Sequence, residues 1–229
     1  MTPSPSGLSV VRSVRLVNPN SNAAATERMV AAARAVAPRW LSIVGETTVA
    51  SPSLIVDAAG AEMAEAAVVD AARRHPGHGD GVILSAYIDP GIGQLRELLD
   101  VPVVGIGEAS MAEAAAIGRF SIVMTTPGLV GIVCRYAAAL GLADRLVSVP
   151  STTEEPNALM ADPERTQAAL DELIRQAVRQ DGAEAVVVGG GPLADAARAL
   201  APTSPVPLIE PVPAAVRRLL AMLSAAGAR

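Results

Sequence analysis

Short apolar runs that break into small or polar residues recur along the chain, each followed by a stretch with helical spacing. Residues 82–84 (V-I-L) run into Ser85-Ala86-Tyr87-Ile88 and then Asp89-Pro90-Gly91, and residues 185–188 (A-V-V-V) run into Gly189-Gly190-Gly191-Pro192. A buried parallel strand reads this way when it ends in a turn at the carboxyl edge of a sheet. Ligands bind beside such edges in open α/β sheets. The same pattern predicts strands over 11–17, 41–48, 101–106, 120–124, 146–149 and 207–209. Helices are predicted over 23–37, 55–74, 92–99, 111–117, 129–140, 163–179, 193–200 and 212–223. Strands alternating with helices mean βαβ units and a mainly parallel α/β sheet. Eight strands also allow a closed barrel, but the likeness of segments 80–91 and 183–192 points to two similar lobes whose strand ends face one pocket.

Composition narrows the possible partners. Of 229 residues, 51% are hydrophobic but only 2% aromatic, which suits close packing of helices on sheets and leaves little to stack on bases. The net charge is −5 with no basic block, so nucleic acid and anionic membrane are not expected partners. The longest apolar stretch, 120–134, is interrupted by Thr125-Thr126-Pro127-Gly128, short of the ~20 residues a spanning helix needs. The first residues, M-T-P-S-P-S-G, lack the apolar region of a signal peptide, and a cytoplasmic protein with a flexible arm over 1–10 is expected. Cys134 is the single cysteine; it excludes an intramolecular disulfide and a cysteine-based zinc site, and mid-helix it reads as core. His75 and His78, in H-P-G-H-G, fall at the amino end of a strand, away from the expected pocket. No metal is expected.

The expected strand exits carry Asn18, Ser85, Tyr87, Asp89, Glu108, Thr125, Thr126, the glycines at 189–191 and Glu210. The loop Asn18-Pro19-Asn20-Ser21-Asn22 precedes a helix, which Ser21 or Asn22 would cap. Thr125 and Thr126, paired hydroxyls before a helix start, either receive a carboxylate or serve as a plain N-cap. The triple glycine either forms an anion nest or is a tight turn. It is not a G-x-G-x-x-G fingerprint, and no G-x-x-x-x-G-K-[ST] occurs, so nucleotide binding has little support. Asp89 reads as a cap of the helix at 92, Glu108 as a cap or an acid/base, and Tyr87 as a donor over the pocket or an edge residue. Ser85 has no histidine partner for a nucleophilic triad. Residues 151–157 (S-T-T-E-E-P-N) form a polar loop long enough to act as a flap.

Together V-N-P-N-S-N (17–22), I-D-P-G-I (88–92), P-V-V-G-I-G-E-A-S (102–110), G-R-F-S-I-V-M-T-T (118–126), A-E-A-V-V-V-G-G-G (183–191) and P-L-I-E-P-V-P-A-A-V (207–216) resemble the aspartate/glutamate/hydantoin racemase superfamily, in its hydantoin and allantoin racemase branch. The resemblance implies two Rossmann-like lobes related by a pseudo-two-fold, each a mainly parallel four-stranded sheet, with the substrate in the cleft between them. The lobes are expected over 11–100 plus 208–229 and over 101–207, in a homo-oligomer. It also implies a cofactor-independent two-thiol proton transfer at a stereocentre, yet the positions matching the two family cysteines are Ala86 and Gly190. By resemblance Asn18, Ser21, Ala86, Thr125, Thr126, Gly190, Gly191 and Pro192 hold a small carboxylate or a cyclic ureide or imide. Tyr87 and Glu108, with Glu210 and Ser85 behind them, are then the candidates for acid/base chemistry. The expectation is an isomerase- or racemase-like enzyme working through an enolate-like intermediate, or a lyase or decarboxylase, since a single proton transfer suits the missing thiols. A non-catalytic ligand-binding or regulatory protein and a hydrolase with carboxylate-activated water are the alternatives.

Overall fold

Four apolar segments near the amino end pair side by side into one sheet. In a computed structural model, which describes residues 12–74, 79–190 and 193–227, β1 (Arg12–Asn18) lies parallel between β2 (Leu41–Thr47) and β3 (Gly81–Leu84). β3 pairs in turn with β4 (Val103–Gly105). The second sheet repeats the plan: β5 (Phe120–Val123) lies between β6 (Leu146–Ser148) and β7 (Ala185–Val188), and β7 pairs with β8 (Leu208–Ile209). The orders β2-β1-β3-β4 and β6-β5-β7-β8 are the same order four strands apart. Two parallel sheets of four replace the alternative of a closed barrel.

Every residue of β3, β4, β5 and β7 is buried, as expected of parallel strands covered on both faces. The helices in chain order are α1 (Ala23–Val36), α2 (Ala58–Arg74), α3 (Ile92–Leu98), α4 (Ile106–Ile117), α5 (Val130–Ala139), α6 (Pro156–Met160), α7 (Pro163–Arg179), α8 (Ala194–Leu200) and α9 (Pro211–Gly227). One buried cluster joins Val14, Leu16 and Ile83 of the first sheet to Phe120, Ile122 and Val187 of the second, through Met111 of α4 and Val216 and Leu219 of α9. The two sheets thus share a core. Smaller clusters cover the other faces, Val82, Leu95 and Val103 on the first sheet and Leu170, Val186 and Leu193 on the second. Among the described residues no helix is long and apolar enough to cross a membrane.

Three sequence expectations change. The boundary expected at residue 100 does not coincide with the change of sheet, because β4 bonds to β3, and β8, expected with the first lobe, bonds to β7. Within the returning segment it is α9 that packs on β3 and β4. The strand expected over 101–106 ends at Gly105, and α4 begins at Ile106, five residues earlier than the apolar pattern suggested. Finally, Cys134 on α5 is exposed rather than core. The expected arm over 1–10, His75, His78, Gly191 and Pro192 lie outside the described residues.

Candidate functional site

In a sheet of order 2-1-3-4, the loops leaving the two central strands diverge and open a crevice at their carboxyl ends. Here both sheets have such a switch point, and the two face one another. A cavity of about 60 Å³ is lined by Asn20 after β1, Ser85, Ala86, Tyr87 and Ile88 after β3, Met124, Thr125 and Thr126 after β5, and Gly189 and Gly190 after β7. Leu54, Ile55, Leu129, Met160 and Leu193 close its apolar sides. Ala86 and Gly190 therefore meet at one cavity, as the resemblance required. Of the remaining sequence candidates Ser85, Tyr87, Thr125 and Thr126 are there as well.

The polar groups on this wall are largely unspent. Thr125 and Thr126 are buried, and neither hydroxyl has a hydrogen-bond partner among the described residues; Thr126 precedes the turn Pro127–Leu129 without capping it. The plain N-cap reading thus fails, leaving two hydroxyls for a ligand. Asn20 is held by donation from the Asn18 amide (2.9 Å) and the Asn22 N–H (3.0 Å) to its Oδ1, which orients its own amide nitrogen as a free donor. The Ser85 hydroxyl donates to the Val17 carbonyl at 2.9 Å, so it offers a ligand only its lone pairs. The Tyr87 hydroxyl is buried without a partner; the nearby Ser110 hydroxyl is spent on the Ile106 (2.7 Å) and Gly107 (3.0 Å) carbonyls. Burial pushes the Tyr87 phenol far above its ordinary range, opposed by Ser110 and reinforced by the charge of Asp89. It stays protonated. Its ring reaches the second lobe, where a Cβ on Gly189 would lie 3.5 Å from Tyr87 Cε1 and 2.8 Å from Ile122 Cγ2.

Behind this wall Asp89 fixes the β3 exit. Its φ of +45° is left-handed, a conformation aspartate tolerates better than most residues. Oδ1 accepts the Gly107 N–H (3.0 Å), while Oδ2 accepts the Glu108 N–H (2.8 Å) and the Tyr136 hydroxyl of α5 (2.8 Å). Asp89 caps a helix, but through its side chain the helix is α4, not the one at 92, which receives only its carbonyl at 3.2 Å. This docking explains the G-I-G-E sequence: a Cβ at Gly105 would lie 2.1 Å from the Asp89 carboxyl carbon, and one at Gly107 1.9 Å from the Tyr87 carbonyl oxygen. Burial raises the Asp89 carboxyl to about 7, against the pull of the Glu108 and Gly107 N–H groups and Tyr136 and with the Glu108 charge. The unfolded chain releases this proton near the ordinary 3.8, so the folded state holds more protons between these values and loses stability as pH rises through them. The loss amounts to roughly 4 kcal/mol at most. The melting temperature of the wild type is expected to fall from pH 5 to pH 8 relative to that of Asp89→Asn; parallel profiles would show that Asp89 ionises as an ordinary carboxylate.

Four sequence candidates are not in the cavity wall. Glu108 sits in the first turn of α4, where Oε1 accepts Arg96 Nη2 at 2.5 Å and the Gly105 N–H at 3.4 Å, with Arg218 at 3.9 Å. It is a paired cap rather than an acid/base in the cavity. Glu210 follows the edge strand β8 and pairs with Arg198 at 3.0 Å. Asn18 is wholly buried and spends its amide on Asn20, the Asn22 carbonyl and Thr26; it builds the loop that presents Asn20. Ser21 is exposed and donates its N–H to the Pro52 carbonyl at 3.1 Å, while Asn22 caps α1. Sequence reasoning passed over Asn20, although it lies in the quoted V-N-P-N-S-N, and had no signal for Leu54, Ile55, Met160 or Tyr136.

A family model described as Asp/Glu/Hydantoin racemase matches residues 14–219. The chain belongs to the Asp/Glu/hydantoin racemase family. This racemase-family enzyme is 32% identical over 213 residues to hydantoin racemase of Paenarthrobacter aurescens, covering 89% of this chain and 88% of that protein. The structure of allantoin racemase from Pseudomonas fluorescens superposes with a TM-score of 0.89 at 30% identity, over 93% of this chain and 92% of that one. Allantoin racemase from Klebsiella pneumoniae superposes with a TM-score of 0.85 at 30% identity, over 94% and 89%. In this racemase-family chain a Cβ on Gly190 would meet Leu193 Cδ1 at 3.2 Å, so Leu193 crowds the space a side chain at 190 would enter. Among the described residues no cysteine, histidine, lysine or carboxylate lines the cavity.

Proposed function

We propose that this protein is a cofactor-independent enzyme acting on a small carboxylate or a cyclic ureide or imide bound in the cavity between the two sheets. The reaction passes through an enolate-like intermediate. Thr125, Thr126 and the Asn20 amide bind the carboxylate or ring carbonyl and take up the charge that develops on its oxygen; one such donor contributes roughly 3 kcal/mol to lowering a barrier. Tyr87 delivers the proton. The single observation that carries this reading is that the hydroxyls of Thr125 and Thr126, on buried residues that line one cavity, have no partner among the described residues, and that the buried hydroxyl of Tyr87, a third residue of the same lining, has none either. Hydrogen-bonding groups left unpaired in a buried place cost stability and are explained by a ligand that satisfies them.

With donors and an acid but no base on the wall, one proton transfer fits better than a two-thiol racemisation. In a decarboxylation the bond to the departing carboxylate breaks, its electron pair becomes the enolate, and Tyr87 protonates the carbon, recovering its own proton from water. An isomerase reaction in the family sense needs in addition a base from outside the described wall. The absence of a base and the crowding by Leu193 favour a second reading, a binding protein without turnover.

The experiment is Tyr87→Phe, assayed for decarboxylation of small dicarboxylates. Because the hydroxyl has no partner, the variant is expected to melt at the same temperature or higher, and turnover is expected to drop by about 10²–10⁴. Unchanged turnover removes Tyr87 from the chemistry. No turnover by wild type, with binding retained, favours the binding protein.

A further inference from the structure

Beyond the inner cavity lies a second and larger chamber, of about 280 Å³ against 60 Å³. Met160 and Leu193 line both. The two residues shared by both linings differ in origin: Met160 ends α6, which starts at Pro156 within the segment expected as a polar loop, and Leu193 is the N-cap of α8. Methionine is unbranched and adaptable, so a ligand bound inside has an outlet here.

The outer chamber is walled by elements of both lobes: Arg28 of α1 on one side, Pro163, Thr166 and Gln167 of α7 and Asp195 of α8 on the other. Its polar groups are not equally available. Asp195 is paired with Arg198 at 3.3 Å, and the Thr166 hydroxyl donates to the Leu159 carbonyl at 2.7 Å. Arg28 and the Gln167 amide have no hydrogen-bond or ion-pair partner among the described residues. A guanidinium and a carboxamide that line one chamber without partners among the described residues can present several N–H donors to it, a set that suits a carboxylate.

We infer that the substrate is two-headed: its reacting ring or carboxylate sits in the inner cavity, and a substituent passes between Met160 and Leu193 to end in a carboxylate held by Arg28 and Gln167. This rests on the proposed use of the inner cavity and adds the class of substituent. It makes Arg28 a specificity-determining residue contributed by the first lobe to a chamber otherwise built by the second.

The test is calorimetric titration of full-length protein with 5-methylhydantoin and with matched pairs of 5-substituted hydantoins, carboxymethyl, carboxyethyl and carboxypropyl against their uncharged carbamoyl counterparts. One carboxylate is expected to bind at least tenfold more tightly than its carbamoyl partner, and Arg28→Gln is expected to abolish that preference while leaving 5-methylhydantoin affinity unchanged. Arg28 is exposed on a helix, so the variant is expected to fold as the wild type does. Binding of the rings without a carboxylate preference, or a preference that survives Arg28→Gln, overturns the inference and leaves the inner site standing. Failure of every ring compound to bind overturns the inner-site reading and this inference with it.

Discussion

Replacing Thr125 and Thr126 together by valine is expected to abolish binding of small dicarboxylates and hydantoins while leaving the fold as stable as before. Valine has nearly the shape of threonine, and neither hydroxyl bonds to the described protein, so the substitution removes only what a ligand would use. Hydrogen bonds to a charged group contribute roughly 1.5–3 kcal/mol each. Loss of the pair therefore weakens binding by at least about a hundredfold. Since neither hydroxyl holds another part of the described protein, the melting temperature is expected to hold. Lowered stability would assign the threonines to the scaffold, and unchanged affinity would remove them from the site.

The second large effect concerns the two positions where the family resemblance expects thiols. With wild-type protein, C5 exchange and racemisation of an enantiopure hydantoin in deuterated water are expected to stay at the enzyme-free background. Alanine at 86 and glycine at 190 have no group that transfers a proton. Placing cysteine at both positions puts a thiol on each side of the one cavity, and the double variant is expected to racemise the hydantoin measurably. Neither single variant should do so, because inversion needs an acid on the face opposite the base. The cost of the change at 190 is local: a Cβ there lies 3.2 Å from Leu193 Cδ1 and 3.4 Å from Cγ, so one leucine side chain must yield by a few tenths of an ångström. Rapid exchange by the wild type would mean that another proton carrier works at the site.

What could be read in advance, and what could not, divides along strand order. The exits of β3, β5 and β7 were legible because fully buried parallel strands appear as unbroken apolar runs that stop at small or polar residues. Those exits hold Tyr87, Thr125, Thr126 and Gly190. Glu108 and Glu210 follow apolar runs just as faithfully, but β4 and β8 are edge strands, and an edge strand's exit lies away from the switch point. Periodicity gives a strand's existence and not its neighbours, so these two glutamates looked equivalent to residues that line the cavity. Glu108 was harder still, since V-V-G-I runs from strand to helix without losing its apolar character and α4 begins on Ile106. Asn18 and Asn20 were separable only by side-chain direction: one turns inward to Thr26, the other faces the cavity. Leu54 and Met160 reach the site from a loop and a short helix, where no periodic signal exists, and Ile55, expected to open a helix, lies in the loop before α2. The Asp89–Tyr136 hydrogen bond joins residues 47 positions apart, a contact that only the docking of α5 on the β3 exit brings about.

The claim on which the rest depends is that the inter-sheet cavity holds a small carboxylate or ureide through its unpartnered hydroxyls. A crystal structure of the protein with a bound 5-substituted hydantoin tests it most directly. The account predicts the ring between Ala86 and Gly190, with a ring oxygen within hydrogen-bond distance of the Thr125 and Thr126 hydroxyls and the Tyr87 hydroxyl turned toward the reacting carbon. A ligand bound elsewhere, or seated in the cavity with all three hydroxyls unengaged, would contradict it.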